Sequence, residues 1–469
     1  MPSLFHSLPR ELVDFCIDKL QEDRNEESKA ALRACSLVCR AFYHRARVHL
    51  FKQIVFSGLL PADLLSRLSS LLEVMKSPCG IGIGVAPFIR TFEIIIDSTA
   101  ENAVVEYSTL LIDHENVLCK IMNALHGPDY GIRKFSLAMS SSPPTSTGTI
   151  GWADLNTSFK ESLYSLLQSP YLTFLHIGNI YDLPSTFLRD TKLEHLHLSH
   201  TNFSSLNDFP GEAGRGVPTP PALGCVTMNP ADCLTGIAGG YLSHLQHLTT
   251  FTSTIFSSAH MDITWEAMKA SASSIEAIQL DFYETFPPPP NAFDFGLMTK
   301  LRNLALTHTI LMPDEEVEIT TARTFDEDVQ HIYSLLNTPT PAPALRRVDI
   351  MITSWQIFPD DDFFTGLHES SRWHLIDSLL TSPKFPALFE VDIFLSLPTV
   401  VEQASNFDQK AFKAKVLEYF KQVLPRLTAS KTASIGLDVQ VILFGRGDDH
   451  VLMDDEFEGE DGVFTTLLT

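Results

Sequence analysis

Residues 34–51, ACSLVCRAFYHRARVHLF, place Cys35 and Cys39 shortly before His44 and His49. Thiolates and imidazoles are the donors that hold zinc tetrahedrally, so a metal site is the first chemistry to test. On one continuous helix over this stretch, Cys35, Cys39 and His49 fall within about 80° of one another, and His44 points about 140° or more away. His49 also sits about 21 Å along the axis from Cys35, too far to share an ion. Zinc fingers separate the Cys pair from the His pair by about a dozen residues, whereas four intervene here. The two cysteines read instead as small apolar residues of a packed helix face.

Other residues capable of chemistry are scattered. HLHLSH puts His195 and His197 on one strand face with His200 just beyond; they read as solvent-facing residues of a concave sheet. Gly80, Gly82 and Gly84 in CGIGIGVAP alternate, but they lack the spacing of a phosphate loop and run towards a strand, not a helix. Asp360, Asp361 and Asp362 read as a solvated loop. The sequence contains no Gly-x-Ser-x-Gly elbow, His-Glu-x-x-His pair or Walker loop. No catalytic constellation, metal site or cofactor site is expected, and an enzyme on an α/β frame is the least favoured reading.

The elements that would position these residues follow two rules. In the first 55 residues the rule is helical. SLPRELVDFCIDKL offers Ser7 as an N-cap, Pro9 in the first turn and Glu11 near the positive end of the helix dipole. Leu12, Val13, Cys16, Ile17 and Leu20 share one broad face. After the charged link QEDRNEESK, a second helix is expected from about Ala30 to residue 50, with Ala31, Cys35, Val38, Phe42 and Ala46 as its apolar stripe. Leu37 lies well off that stripe. Two short amphipathic helices bury little by themselves, so this module needs a packing partner.

Beyond residue 56 a pattern repeats: apolar, two residues, apolar, one residue, apolar. It occurs in FIRTFEI (Ile89, Phe92, Ile94), IRKFSL (Ile132, Phe135, Leu137), LTFLHI (Leu172, Leu175, Ile177) and LEHLHL (Leu193, Leu196, Leu198). IEAIQL, LRNLAL, LRRVDI and LFEVDI continue it from Ile275, Leu301, Leu345 and Leu388, and a looser copy lies at LQHLTTF, residues 245–251. The last two apolar positions are two apart and share one face of a strand. Amphipathic helices ending in SLLQSP, SLLNTP and SLLTSP precede several of these strands, and LLSRLSSLLEVMKSP is related to them. Proline and the residue before it both leave the helical region, so each is a sharp stop. Helix, stop, strand at this scale implies an α/β array of parallel strands with helices on the other side, an irregular leucine-rich-repeat-like solenoid. Successive copies start 21 to 52 residues apart. Residues 56–445 form the expected array, closing with a helix over 412–427 and the alternating strand SIGLDVQVILF; 446–469 read as an acidic tail.

The charge is uneven. Residues 1–55 hold nine Lys/Arg and seven Asp/Glu, while the chain as a whole carries −23 with a pI near 5.1. A surface this acidic repels phosphate backbones, which disfavours nucleic acid as a partner. Seven cysteines form no even framework, which suits a reducing compartment. No run approaches the ~20 apolar residues of a membrane helix, and the N-terminus lacks the pattern of a signal peptide.

Residues 7–55 resemble an F-box. The resemblance rests on Leu8-Pro9-x-Glu11-Leu12, Ile17, Leu20, Leu32, Cys35, LVCRAF (37–42) and ARVHLF (46–51), with Phe42 where the family usually has Trp. It covers about a tenth of the chain and implies docking on the small Skp-type adaptor of a cullin-type (SCF) ubiquitin ligase. The array would then hold the target, in the cytoplasm or nucleus. By match to the motif, Leu8, Pro9, Leu12, Ile17 and Leu20 of the first segment and Leu37 and Val38 of the second are the adaptor-binding candidates. The competing expectation is a leucine-rich-repeat scaffold that binds proteins outside any ligase.

Overall fold

The strand-forming stretches are rich in Val, Ile, Phe and Leu at alternate positions, and each enters a parallel sheet with one face buried. In the computed structural model, residues 9–20, 26–57, 61–76, 84–97, 108–109, 111–112, 117–140, 150–184, 186–204, 223–229, 245–283, 293–309, 325–353, 356–357, 372–401, 408–430 and 434–445 are described. The chain divides into two compact units, 1–223 and 224–469, taken in turn below.

The first unit opens with three helices, α1 (Arg10–Leu20), α2 (Glu26–Ser36) and α3 (Arg40–Leu50). Strand β1 (Gln53–Ser57) follows at once, so the expected boundary at residue 55 falls inside a strand. Then come α4 (Pro61–Lys76), β2 (Thr91–Asp97), α5 (Val117–Ala124), β3 (Lys134–Ser140), the short β4 (Ile150–Gly151), α6 (Thr157–Leu167), β5 (Phe174–Gly178), the short β6 (Ile180–Tyr181) and β7 (His195–Ser199). The strands pair in parallel in the order β1-β2-β3-β5-β7, while β4 pairs with β6 apart from them.

The second unit contains β8 (Cys225–Asn229), β9 (Thr250–Ile255), α7 (Ser258–Ala270), β10 (Ala277–Phe282), β11 (Asn303–Thr309), α8 (Phe325–Leu336), β12 (Arg347–Thr353), β13 (Gln356–Ile357), α9 (Trp373–Leu380), β14 (Glu390–Val401), α10 (Gln409–Val423), α11 (Pro425–Ala429) and β15 (Ser434–Gly445). Its parallel order is β8-β9-β10-β11-β12-β14-β15, with β13 also on β14. Every expected strand is present, including the looser copy at β9. The first apolar residue of each copy enters from the preceding turn and is buried: Ile89, Ile132, Leu172, Leu193, Leu245, Ile275, Leu301, Leu345 and Leu388.

The expected helices end where their prolines predict, and at two helix starts a polar side chain satisfies an orphan N–H group. Asn156 Oδ1 accepts from Ser158 N at 2.7 Å at the start of α6, and Ser257 Oγ accepts from His260 N at 3.2 Å before α7. The helix expected over 412–427 is divided, because Pro425 starts a new short helix in place of continuing the old one. Buried Asp377 of α9 accepts from Arg426 N and Leu427 N, at 3.1 and 2.8 Å, and fixes that start. Strand β8 and helices α5 and α7 carry neither the repeat pattern nor the Ser-Pro stop, and the sequence did not signal them.

Candidate functional site: the N-terminal helical module

Helices α1–α3 pack around a small core of Val13, Ile17, Leu32 and Ala46, with Leu20, Cys35, Phe42 and Leu50 against it. A charged cluster joins α1 to α3. Arg45 donates from Nε to Asp18 Oδ1 at 2.6 Å and from Nη2 to Oδ2 at 2.5 Å, and His49 Nε2 lies 2.7 Å from Oδ1. The bidentate Arg45 bond is the chief reason the Asp18 carboxyl is held down at about 2, with His49 adding to it and partial burial opposing it. Arg47, almost fully buried, donates to Tyr43 Oη at 3.0 Å and lies over the rings of Tyr43, Phe51 and Phe88. It pins α3 to the turn that precedes β2.

The expected single helix over 30–50 is broken. The last turn of α2 closes with Leu37 N→Ala34 O and Val38 N→Cys35 O, and Cys39 is extended (φ −159°, ψ 170°) ahead of α3. No proline or glycine marks this break. It turns α3 so that Phe42 and Ala46 meet the module core. It also overturns one expectation: Val38, assigned to the apolar stripe, is 55% exposed. Leu37 is 86% exposed, in keeping with its place off that stripe.

The other adaptor-binding candidates divide. Leu8, like the expected cap Ser7, lies outside the described residues. Pro9 is exposed, and its carbonyl accepts from Leu12 N and Val13 N to open α1. Leu12 is 51% exposed. Ile17, by contrast, is buried in the module's own core and presents no free surface, and Leu20 is half-buried against that core. Phe15, missed in the sequence, is 58% exposed on the same side of α1 as Leu12, with Lys19 Nζ 5.7 Å from its ring centre. Its signal was present, since an i, i+3 apolar pair beside the buried stripe marks a second face. The module thus offers the large apolar side chains of Leu12, Phe15, Leu37 and Val38 to solvent.

The Cys/His quartet is divided among different neighbours. Cys35 packs on the core, Cys39 is exposed at the break, His44 stacks edgewise on Tyr43, and His49 is engaged by Asp18. Among the described residues, no group of three His, Cys, Asp or Glu is placed to hold a metal.

The histidine strand departs from its expected form. His195 is exposed and stacks on Phe174, but His197 is half-buried and lies flat on His176, centroids 3.9 Å apart and planes 6° from parallel. His176 Nδ1 is 2.8 Å from Ser136 Oγ, and its Nε2 is 3.1 Å from Ser199 Oγ. Burial, then the neighbouring His197 and Lys134, press His176 down to about 2; burial and Lys134 press His197 to about 4. Both rings are therefore neutral packing groups at ordinary pH. His200 adopts a left-handed φ of 48°, and burial lowers its pKa too. Of the alternating glycines, Gly84 is described: a Cβ there would meet Met75 O, so close backbone packing requires it. Gly80, Gly82, Asp360, Asp361, Asp362 and the acidic tail lie outside the described residues.

No protein-family model matches this sequence, and no curated protein matches it. No helix among the described residues is long and apolar enough to cross a membrane.

Proposed function

We propose that this chain is a substrate-recognition subunit of a cullin-type ubiquitin ligase. In this reading, residues 1–55 are an F-box-like module that docks on a Skp-type adaptor and, through it, a cullin. The strand–helix array is an irregular leucine-rich-repeat-like solenoid that holds a target protein. The chain is then a receptor without catalysis of its own, working in the cytoplasm or nucleus.

The observation that carries the reading is the outward set Leu12, Leu37 and Val38, three motif-matched positions exposed on a module whose internal core is small. Residues that only built the module would be spent inside it, as Ile17 is. Hydrophobic docking also fits the near-neutral charge of residues 1–55 beside an otherwise acidic chain. The test is co-purification of the full chain with a recombinant Skp-type adaptor. Wild type should retain the adaptor, and the triple variant Leu12→Ala/Leu37→Ala/Val38→Ala should lose it. Equal retention would sink the docking assignment. Absence of any capture by wild type would leave the alternative, a repeat scaffold that binds proteins outside a ligase.

A further inference from the structure

The second unit turns one face of its sheet away from the apolar core. On that face, residues from five neighbouring strands align by register. One row reads Asp281 (β10), Thr307 (β11), Met351 (β12), Phe394 (β14) and Asp438 (β15). Two residues nearer the strand starts, the row reads Gln279, Ala305, Asp349, Asp392 and Gly436. Met351 and Phe394 are half-buried neighbours, so they form an apolar pair with carboxylates on either side and along the strands.

The charges around this pair do not balance. Arg347 Nε lies 2.9 Å from Asp349 Oδ1, its Nη2 2.8 Å from Asp392 Oδ2 and its Nη1 3.6 Å from Glu390 Oε2. Lys413 Nζ reaches Asp438 Oδ1 at 3.1 Å. Among the described residues, two cations, Arg347 and Lys413, thus serve four carboxylates, Asp349, Glu390, Asp392 and Asp438, while Asp281 is bonded by Gln279. Burial raises the Asp349 pKa, the neighbouring Asp392 and Glu390 raise it further, and Arg347 opposes them. Burial raises Asp281 as well. An apolar centre with Met and an aromatic, inside a charged rim in which carboxylates outnumber cations, has the anatomy of a protein-binding surface.

We propose that this face of β10–β15 binds a basic segment of the target protein, seating one apolar side chain on the Met351–Phe394 pair and flanking Lys or Arg side chains among the carboxylates. The inference rests on the reading that the array holds a target; it adds where, and of what chemistry. Parallel neighbours stand about 4.8 Å apart, so Asp281 to Asp438 spans about 19 Å, the reach of roughly six extended residues. That spacing sets the basic residues about two to four positions either side of the apolar one. An Arg there also meets the Phe394 ring.

The experiment titrates the full chain into a fluorescent twelve-residue peptide with a central Phe and an Arg three positions to each side, followed by anisotropy at about 0.15 M salt. Asp392→Asn/Asp438→Asn should weaken binding at least tenfold, and so should Phe394→Ala. The control Asp262→Asn/Glu266→Gln removes the same charge from exposed positions of α7 and should change it less than twofold. If the control weakens binding as much, overall acidity binds the peptide and the proposal falls. It falls equally if Phe394→Ala binds like wild type. Thermal melts of each variant exclude unfolding. Asp392→Lys/Asp438→Lys should also gain binding to the same peptide with Glu in place of Arg, a change that misfolding cannot produce. The peptide is read without adaptor, so lost adaptor capture with intact peptide binding would overturn only the ligase reading. The reverse result would overturn only this inference.

Discussion

The N-terminal helices and the strand–helix array solve the same problem in opposite ways. In the array the repeat-defining apolar residues turn inward: Phe92, Phe135, Leu175, Leu304 and Val348 are all fully buried, and charge stays on the far face of the strands. In the helical module a large share of the apolar surface turns outward, and a charged cluster, Asp18 with Arg45 and His49, helps hold the helices together. Neighbouring copies cover each array strand, whereas three short helices have too little interior to cover their own apolar residues. The comparison teaches that a buried position in the array is structural, while an apolar position in the module has to be asked which side it faces.

The largest effect expected from this contrast is in the array core. Phe135→Ala removes a fully buried ring stacked on Phe92 and should cost about 3–5 kcal/mol, read as a lowered urea midpoint. A loss under about 1 kcal/mol would break the claim that the stacked strands carry the stability.

Next in size is an acid response from the histidine stack. His176 and His197 titrate near 2 and 4 when folded, against 6.5 for an ordinary imidazole. Below pH 6.5 the unfolded chain takes up protons that the folded chain refuses, so stability falls as the pH drops from 6.5 towards 4. A His176→Gln/His197→Gln variant should show a shallower decline in urea midpoint between pH 6.5 and 4.5; an unchanged slope would contradict the burial of the pair.

A smaller effect in the same direction belongs to the module. The Asp18 carboxyl lies at about 2 in the fold against an ordinary 3.8. A depressed carboxylate stabilises above 3.8, and that contribution fades as the pH falls through about 2. Because the side chain is 39% exposed, Asp18→Asn should cost only about 1 kcal/mol at pH 6. The gap from wild type should narrow in melts below pH 4.

Smallest of all is the stability change on truncating the exposed pair. Leu37→Ala/Val38→Ala should change the unfolding free energy by less than about 0.5 kcal/mol, read from the urea midpoint, since neither side chain is buried. Loss of adaptor capture without loss of stability would sharpen the contrast between the two regions; a marked destabilisation would erase it.

Much of the array was legible because its signals are local. The apolar pattern has the period of a strand, and proline stops a helix whatever surrounds it. The candidate site was legible only in part. Leu12 and Leu37, two of the positions the motif named, face solvent, yet Ile17, from the same motif, faces the core. A helix carries apolar residues on more than one side, and only its neighbours decide which side is covered.

The sequence by itself therefore determined the alternation of strands and helices, the inward row of each strand and the ends of the helices, because these follow from side-chain period and backbone chemistry. Only the tertiary structure decided the break at residues 37–39, where no proline or glycine requires one. It alone brought His176 onto His197, 21 positions apart in sequence but adjacent by the β5–β7 register. It also gathered Met351 and Phe394 within a rim of carboxylates drawn from separate strands. Such meetings depend on which strand pairs with which and on how helices turn to meet a core, and long-range packing sets both.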